Sequence, residues 1–223
     1  MRHSNRLYAL MSLFAALPVL ALLACMSARG QVPAFTGESQ VSAVEGKQTA
    51  VIAGGCFWGV DAVFKHVKGV SKVVSGYSGG NGSTAQYETV STGRTGHAES
   101  VKITYDPSQI SYAELLRIYF SVATDPTELN RQGPDEGTQY RSVIFYTNED
   151  QKQTALSYID QLNKAKVFSG PIVTQVVPYK AFYEAESYHQ DYLSRHPDNP
   201  YIVFNDLPKL RNLKKEFPDV YKR

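Results

Sequence analysis

Cysteine is scarce in this chain of 223 residues, which contains only Cys25 and Cys56. Small exported proteins that cannot build a large core are usually held together by several disulfides. Two cysteines cannot form such a framework, so the fold must depend on a hydrophobic core. The length suits one catalytic domain with an N-terminal extension.

An excess of charge of one sign is also missing. Arg2 and Arg6 are the only charged residues before Cys25, and without them 21 basic residues face 21 acidic ones. We therefore expect no binding to nucleic acid and no net attraction to anionic lipid. The sequence contains neither the cysteine and histidine spacing of a zinc site nor a Walker-type phosphate loop, so we assign no metal and no cofactor.

Residues 1–25 have the features of an export signal. Two arginines precede an uncharged run over residues 7–24, and small residues follow it. This order predicts a signal peptide, although an uncleaved anchor stays open because the run approaches the ~18 apolar residues of a membrane span. Residues 22–25 (Leu-Leu-Ala-Cys) resemble a bacterial lipobox, whose cysteine receives lipid, but Cys25 could equally be discarded with the signal. We expect an exported protein of the periplasm or cell envelope, either free or attached to the membrane through Cys25.

The rest of the chain divides into three segments. Residues 26–47 are polar and small without an apolar period, which predicts a linker. A catalytic domain is expected over residues 48–207, followed by a C-terminal tail over residues 208–223. We expect the protein to be a monomer.

Hydrophobic periodicity predicts an α+β fold with two layers. Strand patterns lie near residues 50–53, 70–77, 97–105, 143–146 and 172–177, and helical patterns start at residue 56, after the capping box at 111–114, and at residue 149. The order begins β-α-β-β-α-β, which is typical of a ferredoxin-like split β-α-β sheet. We expect extra helices and a long C-terminal coil around that sheet.

A thiol stands between the first strand and the first helix. Cys56 follows Gly54 and Gly55, and the chain's only tryptophan, Trp58, is two residues later. The free N–H groups and partial positive charge of a helix start favour a thiolate, so we expect the pKa of Cys56 to be lowered from its ordinary value near ~8.5. A lone cysteine is more often a small buried hydrophobe, but this combination of glycines and tryptophan favours a reactive site.

Glu99 is a candidate general acid. Strict alternation over residues 97–105 puts it on the same face as Val101, Ile103 and Tyr105. Burial raises the pKa of a carboxyl group, so Glu99 could be neutral near pH 7 and donate a proton. The alternative is a glutamate at the strand end that faces solvent.

Several motifs together resemble the A-type peptide methionine sulfoxide reductases. The signature of that family, Gly-Cys-Phe-Trp-Gly, stands at residues 55–59, and further matches lie at residues 76–80, 86–88, 95–99, 137–142 and 188–190. The resemblance covers roughly residues 51–207. It implies reduction of methionine-S-sulfoxide, free or in proteins, to methionine, and thus repair of oxidised exported proteins.

The resemblance also implies a role for individual residues. Phe57, Trp58 and Tyr201 are expected to form a pocket for the substrate methyl group. Tyr87, Glu99 and Tyr140 are expected to surround the sulfoxide oxygen, and Asp135 to support the site. A sulfoxide needs a nucleophile at sulfur, a proton at oxygen and an apolar slot for methyl. We therefore expect Cys56 to attack sulfur while Glu99 protonates oxygen, which leaves a sulfenic acid on Cys56. Without the resemblance, Tyr87 and Tyr140 would be ordinary core tyrosines.

The chain departs from the family pattern because no cysteine follows Cys56. Many relatives reduce the sulfenic acid with one or two cysteines in a glycine-rich C-terminal tail, and Ile202 stands where such a cysteine often lies. We expect an external thiol reductant instead, such as a thioredoxin-like protein. The other expected partners are the substrates, which are oxidised proteins or peptides containing methionine sulfoxide.

Three other functions stay open from the residues alone. Residues 76–80 match the Gly-x-Ser-x-Gly pattern of serine hydrolases, with Ser78 as nucleophile and His189 as base. Cys56 with His97 or His189 could instead form a Cys/His acyl-transfer or hydrolytic enzyme. A non-catalytic module with an aromatic binding surface is the third alternative.

Overall fold

The computed structural model describes residues 31–37 and 46–223. The predictions for residues 1–25, with the export signal and Cys25, lie outside these ranges. Within the two ranges, none of the helices combines the length and the apolar character that crossing a membrane requires.

The described part of the chain contains eight strands and six α-helices. The strands are β1 (Gln48–Ala53), β2 (Val70–Ser78), β3 (Ala98–Tyr105), β4 (Arg131–Gln132), β5 (Asp135–Glu136), β6 (Val143–Tyr146), β7 (Gln175–Pro178) and β8 (Phe182–Glu184). The helices are α1 (Phe57–Lys65), α2 (Tyr87–Val90), α3 (Tyr112–Ile118), α4 (Glu149–Lys164), α5 (Tyr192–Arg195) and α6 (Leu207–Glu216). Two π-helical turns, Tyr119–Ala123 and Ile202–Asp206, continue α3 and lead into α6.

The main sheet has six strands in the order β7-β6-β1-β3-β2-β8. Its four central strands, β6-β1-β3-β2, are antiparallel throughout. Helix α1 connects β1 to β2, and α3 lies between β3 and β6. This arrangement confirms the predicted α+β class and the ferredoxin-like order of the central strands.

The core lies mainly between this sheet and the helices on one face. The apolar residues of α1, such as Val60, Val63 and Phe64, are buried there beside Ile52 of β1. A smaller apolar cluster on the other face contains Val51. Ser111 is the N-cap of helix α3, and its side chain accepts a hydrogen bond from the Glu114 N–H, as the capping box predicts.

Strand β7 is shorter than the predicted strand over residues 172–177. The N–H groups of Ile172 and Val173 donate to the Asn163 side chain and to the carbonyl oxygen of Pro126. These two residues therefore bond outside the sheet, and the parallel pairing with β6 starts only at Gln175.

The C-terminal segment is largely helical, so the expectation of a long coil is wrong in this respect. Helix α6 packs on α1, and its Leu213 is buried together with Phe217. Beyond the helix, Tyr221 forms an isolated bridge with Val67. Leu210, Leu213 and Phe217 follow a helical period that the many charged residues between them obscure in the sequence.

Residues 31–37 are packed on α3 and α4, so the prediction of a linker is wrong for this segment. Val32 is buried, and its carbonyl oxygen accepts a 3.0 Å hydrogen bond from Nε of Arg117. The Tyr158 hydroxyl donates to the carbonyl oxygen of Pro33 at 2.5 Å, and the Tyr158 ring meets that of Phe35 edge-on. Two anchoring apolar residues are too few to produce a period in the sequence, yet they suffice to dock a short segment.

Candidate active site

Cys56 is the N-cap residue of α1 and comes directly after the turn that ends β1. Gly55 in that turn has φ +92°, and a Cβ atom on it would lie 2.5 Å from Cγ of Gln132. Only glycine fits this backbone, which brings the chain from the sheet straight into the helix. The turn leaves Cys56 about 7% exposed, at the edge of the core.

Glu99 lies on β3 and reaches the start of α1. Its Oε2 accepts a 3.0 Å hydrogen bond from the N–H of Phe57, the residue after the thiol. Glu99 is only 3% exposed, which confirms that its strand turns it inwards. Burial, and then the negative charges of Asp135 and Asp206, raise the pKa of Glu99 to about 8, although the bond from Phe57 acts in the opposite direction. Glu99 is therefore mostly protonated at neutral pH, as the strand pattern predicts.

The pKa of Cys56 is raised well above its ordinary value, so the expected lowering is wrong. Burial is the largest cause, and the charges of Glu99 and Asp206 add to it. The N–H of Trp58 bonds to the thiol and favours its ionised form, as a helix start should, but this effect is smaller than the loss of solvation. The candidate nucleophile is therefore a neutral thiol at neutral pH.

An aromatic cluster surrounds Trp58. The indole ring stacks on Tyr192 at 3.7 Å and 7°, and it meets the ring of Tyr201 edge-on at 5.9 Å. Its Nε1–H donates to Nδ1 of His189 at 3.1 Å, which fixes the ring plane. Phe57 is almost completely buried behind the indole, 6.5 Å away between ring centres. Trp58 and Tyr201 thus present partly buried apolar surface beside the thiol, as a methyl slot requires.

Three further predicted residues reach the same place from different elements. Tyr87 is the first residue of α2, and Tyr140 ends a short 3-10 helix. Burial and then the charge of Glu99 raise the pKa of both phenols, so both keep their protons and can donate hydrogen bonds. Asp135 on β5 accepts a short hydrogen bond from the Tyr201 hydroxyl. The fold therefore brings all the predicted site residues around Cys56.

Two residues near the thiol were not predicted from the sequence. Asp206 and Lys209, at the start of α6, both act electrostatically on Cys56. They lie in the segment that the sequence analysis divided between the domain end and the tail. Gly59, the last residue of the signature, was the available signal, because a Cβ atom there would overlap Asp206.

His189 is buried and structural, and the motif at residues 188–190 is explained by the fold. His189 holds the indole of Trp58. The side-chain amide of the next residue, Gln190, bonds to both the N–H and the carbonyl oxygen of Ser75 on β2. The motif therefore pins the C-terminal segment both to the sheet and to the tryptophan.

The serine hydrolase and the Cys/His enzyme do not fit the geometry. Ser78 is buried within β2, and its hydroxyl donates to the carbonyl oxygen of Ala181, so it is no exposed nucleophile. His97 binds the backbone of Gly80 and Asn81 through its two ring nitrogens. In the described part of the chain neither His97 nor His189 is hydrogen-bonded to Cys56, so a Cys/His pair is not formed.

Comparisons with known proteins all indicate the same family. A family model described as peptide methionine sulfoxide reductase matches residues 48–220. The chain is 65% identical over 179 residues to the peptide methionine sulfoxide reductase MsrA 2 of Mesorhizobium japonicum, an alignment that covers 80% of this chain and 92% of that protein. It is 54% identical over 177 residues to the protein of the same name from Synechocystis, with coverage of 79% and 83%.

Solved structures agree with these sequence matches. Methionine sulfoxide reductase A of Corynebacterium diphtheriae is similar with a TM-score of 0.60 at 35% identity, over 70% of this chain and 78% of that one. The reduced form of Mxr1 from Saccharomyces cerevisiae gives a TM-score of 0.61 at 33% identity, over 69% and 87% of the two chains.

Proposed function

Because the chain belongs to the peptide methionine sulfoxide reductase family, we propose that it reduces methionine-S-sulfoxide to methionine with Cys56 as nucleophile and Glu99 as acid. The reaction class, reduction of methionine sulfoxide by an oxidoreductase, follows from the family. The epimer, the catalytic residues and the intermediate are the proposed parts.

The single observation that carries the mechanism is the hydrogen bond from Phe57 N–H to Oε2 of Glu99. A protonated carboxyl group accepts this bond with its carbonyl oxygen, which leaves the hydroxyl of Glu99 free to turn towards a bound sulfoxide. The bond also holds the acid one residue away from the thiol. This spacing supports attack by Cys56 on the sulfur and protonation by Glu99 of the oxygen of one polar S=O bond.

Each neutral group then has a defined task in the chemical step. The Cys56 sulfur attacks the sulfoxide sulfur while Glu99 delivers a proton to the sulfoxide oxygen, and the proton that the thiol loses restores the carboxyl group of Glu99. Tyr87 and Tyr140 donate hydrogen bonds to the same oxygen and stabilise the negative charge that develops there. In net terms one thiol and one sulfoxide become one thioether and one sulfenic acid, so the oxygen ends on Cys56 and no electrons are missing.

The aromatic cluster supports selection of a thioether substrate. Trp58 and Tyr201 offer an apolar slot for methyl, and the indole cannot rotate because it stacks on Tyr192 and donates to His189. With a fixed slot for methyl on one side and a fixed acid for oxygen on the other, only one configuration at the sulfoxide sulfur fits. This arrangement supports reduction of a single epimer, which we assign as S from the family resemblance.

Completion of the cycle needs a thiol from outside the chain. Cys56 is the only cysteine among the described residues, and no cysteine follows it in the sequence. An external thiol attacks the sulfenic acid and releases water, and a second thiol then resolves the mixed disulfide. A thioredoxin-like protein provides both thiols in one molecule, so we assign this role to such a donor.

The site of action is outside the cytoplasm, on exported proteins with oxidised methionines. The features of residues 1–25 support this assignment. Fractionation of cells tests it: the mature protein should be found in the envelope or periplasm, and Cys25→Ser should release it from the membrane fraction if Cys25 carries lipid. Retention of the full chain in the cytoplasm would contradict export.

A reductase assay with separated sulfoxide epimers tests the proposed chemistry. With dithiothreitol or a thioredoxin system as reductant, the S epimer should be converted and the R epimer should not. Cys56→Ser should abolish conversion, while the matched variant Cys25→Ser should keep the full rate. Equal conversion of both epimers, or activity in Cys56→Ser, would reject the proposal.

A further inference from the structure

A buried ion pair lies against the first turn of α1. Nζ of Lys209 is 3.3 Å from Oδ1 of Asp206, whose side chain is 0% exposed, while that of Lys209 is 18% exposed. A Cβ atom on Gly59 would overlap Oδ1 of Asp206 and lie 2.9 Å from Nζ of Lys209. Gly59 is three residues after Cys56, so the pair sits beside the helix start that carries the thiol.

The ion pair is more than a satisfied structural contact. Oδ2 of Asp206 is buried and has no hydrogen-bond partner among the described residues. A buried oxygen without a partner costs free energy, and native proteins rarely keep one without a functional reason. Lys209 pairs with only one of the two carboxylate oxygens of Asp206.

The surroundings of Cys56 are otherwise poor in positive charge. Among the described residues, the titratable groups that face the thiol or its immediate partners are Glu99, Asp135, Asp206, Tyr87, Tyr140, Tyr201 and His189. The first six cannot carry a positive charge, and His189 is neutral, because its Nδ1 accepts the Trp58 N–H and burial lowers its pKa. Within this part of the chain Lys209 is the cation that acts on Cys56, and it favours the ionised thiol.

We propose that Lys209 is a positioning residue, held by Asp206 against the first turn of α1, whose charge favours the ionised form of Cys56 during attack. This inference rests on the proposed role of Cys56 as nucleophile. Asp206 has two opposite effects in it: its charge disfavours the thiolate, and its contact holds the ammonium group that partly offsets this effect. Lys209 thereby contributes a positive charge in addition to the partial charge of the helix start.

The rate of alkylation of Cys56 by iodoacetamide measures the ionised fraction directly. The reaction is followed on the reduced full chain between pH 6.5 and 9.5 by peptide mass spectrometry, so that Cys25 does not contribute. Substrate is absent, and the result therefore stands whether or not methionine sulfoxide is reduced through Cys56. Failure of the proposed function and failure of this inference can therefore be distinguished.

Asp206→Asn is the reference variant, since Lys209→Met alone would strand a buried carboxylate and endanger folding. Asp206→Asn should alkylate faster than the wild type at every pH below the midpoint, because the negative charge is gone while the amide oxygen can still accept the hydrogen bond from Lys209. Adding Lys209→Met to it should slow alkylation about tenfold, the change that corresponds to one pH unit. Adding Lys209→Arg instead should keep most of the rate, and Lys215→Met, an exposed lysine on the same helix, should leave the wild-type rate unchanged.

A purely structural pair would give a different pattern. The Met and Arg double variants would then alkylate at the same rate as Asp206→Asn, with changes only in thermal stability. Equal rates in these three proteins, or slower alkylation in Asp206→Asn than in the wild type, would overturn the proposal.

Discussion

The N–H of Phe57 donates a 3.0 Å hydrogen bond to Oε2 of Glu99, a residue 42 positions later in the chain. This bond joins the first residue of α1 to the second residue of β3. It places the candidate acid directly beside the candidate nucleophile, and both groups are neutral before substrate binds. Burial therefore provides the proton for the sulfoxide oxygen and also lowers the ionised fraction of the thiol.

Glu99→Gln should lower kcat by about 10² to 10⁴, because glutamine still accepts the Phe57 N–H but cannot donate a proton of suitable acidity. The wild-type kcat should also decline above about pH 8, where Glu99 ionises. Steady-state rates on methionine-S-sulfoxide between pH 6 and 10 measure both effects. A variant within threefold of the wild type, or a wild-type rate that still rises at pH 9, would contradict the assignment of Glu99.

The same carboxyl group should make stability depend on pH. The pKa of Glu99 is raised from 4.5 to about 8 in the folded protein, so the folded state holds a proton that the unfolded chain has already released. Its contribution to the unfolding free energy is full below about pH 4.5 and is lost as the pH rises to about 8.

Glu99→Gln cannot ionise and should not show this loss. The unfolding free energy of the variant minus that of the wild type should therefore grow between pH 5 and pH 8, by on the order of 4 kcal/mol. Urea unfolding at a series of pH values measures the difference. A difference that stays constant or shrinks over this range would mean that Glu99 is ionised in the folded protein.

The inward position of Glu99 could be predicted because strand alternation is a local property of the sequence. The ionisation of Cys56 could not, since the helix start is visible locally but the burial and the charges of Glu99 and Asp206 come from distant segments. The same holds for Lys209, which reaches the site only because α6 packs on α1. Family motifs identified the residues that line the candidate site, whereas the charges behind them became visible only in the folded chain.

Tyr201→Phe should raise KM for methionine sulfoxide about tenfold with a smaller change in kcat. The variant keeps the ring edge against Trp58 but takes from the half-buried Asp135 the hydrogen bond of the Tyr201 hydroxyl, and the loss of such a partner costs about 1 to 3 kcal/mol. Steady-state kinetics measure the two constants. Tyr221→Phe, whose ring lies against His66, serves as control and should match the wild type. An unchanged KM in Tyr201→Phe would show that the Asp135 contact does not support the pocket.

A chain that starts at residue 46 lacks the packed segment 31–37. Its unfolding free energy should be about 2 to 4 kcal/mol lower than that of a chain that starts at residue 26. Val32 loses its burial, and the Tyr158 hydroxyl loses its acceptor on Pro33. The kcat should stay within twofold, because these contacts are with α3 and α4. Equal denaturant midpoints of the two chains would show that the segment behaves as the linker that its sequence suggests.

A single turnover without reductant tests the central claim most directly. Reduced protein is mixed with excess methionine-S-sulfoxide and dimedone, and methionine is counted while the labelled peptide is identified by mass spectrometry. We predict one methionine per protein molecule and a dimedone adduct on Cys56 alone. Several methionines per molecule, or a stoichiometric product with no adduct on Cys56, would contradict a sulfenic acid intermediate at this residue.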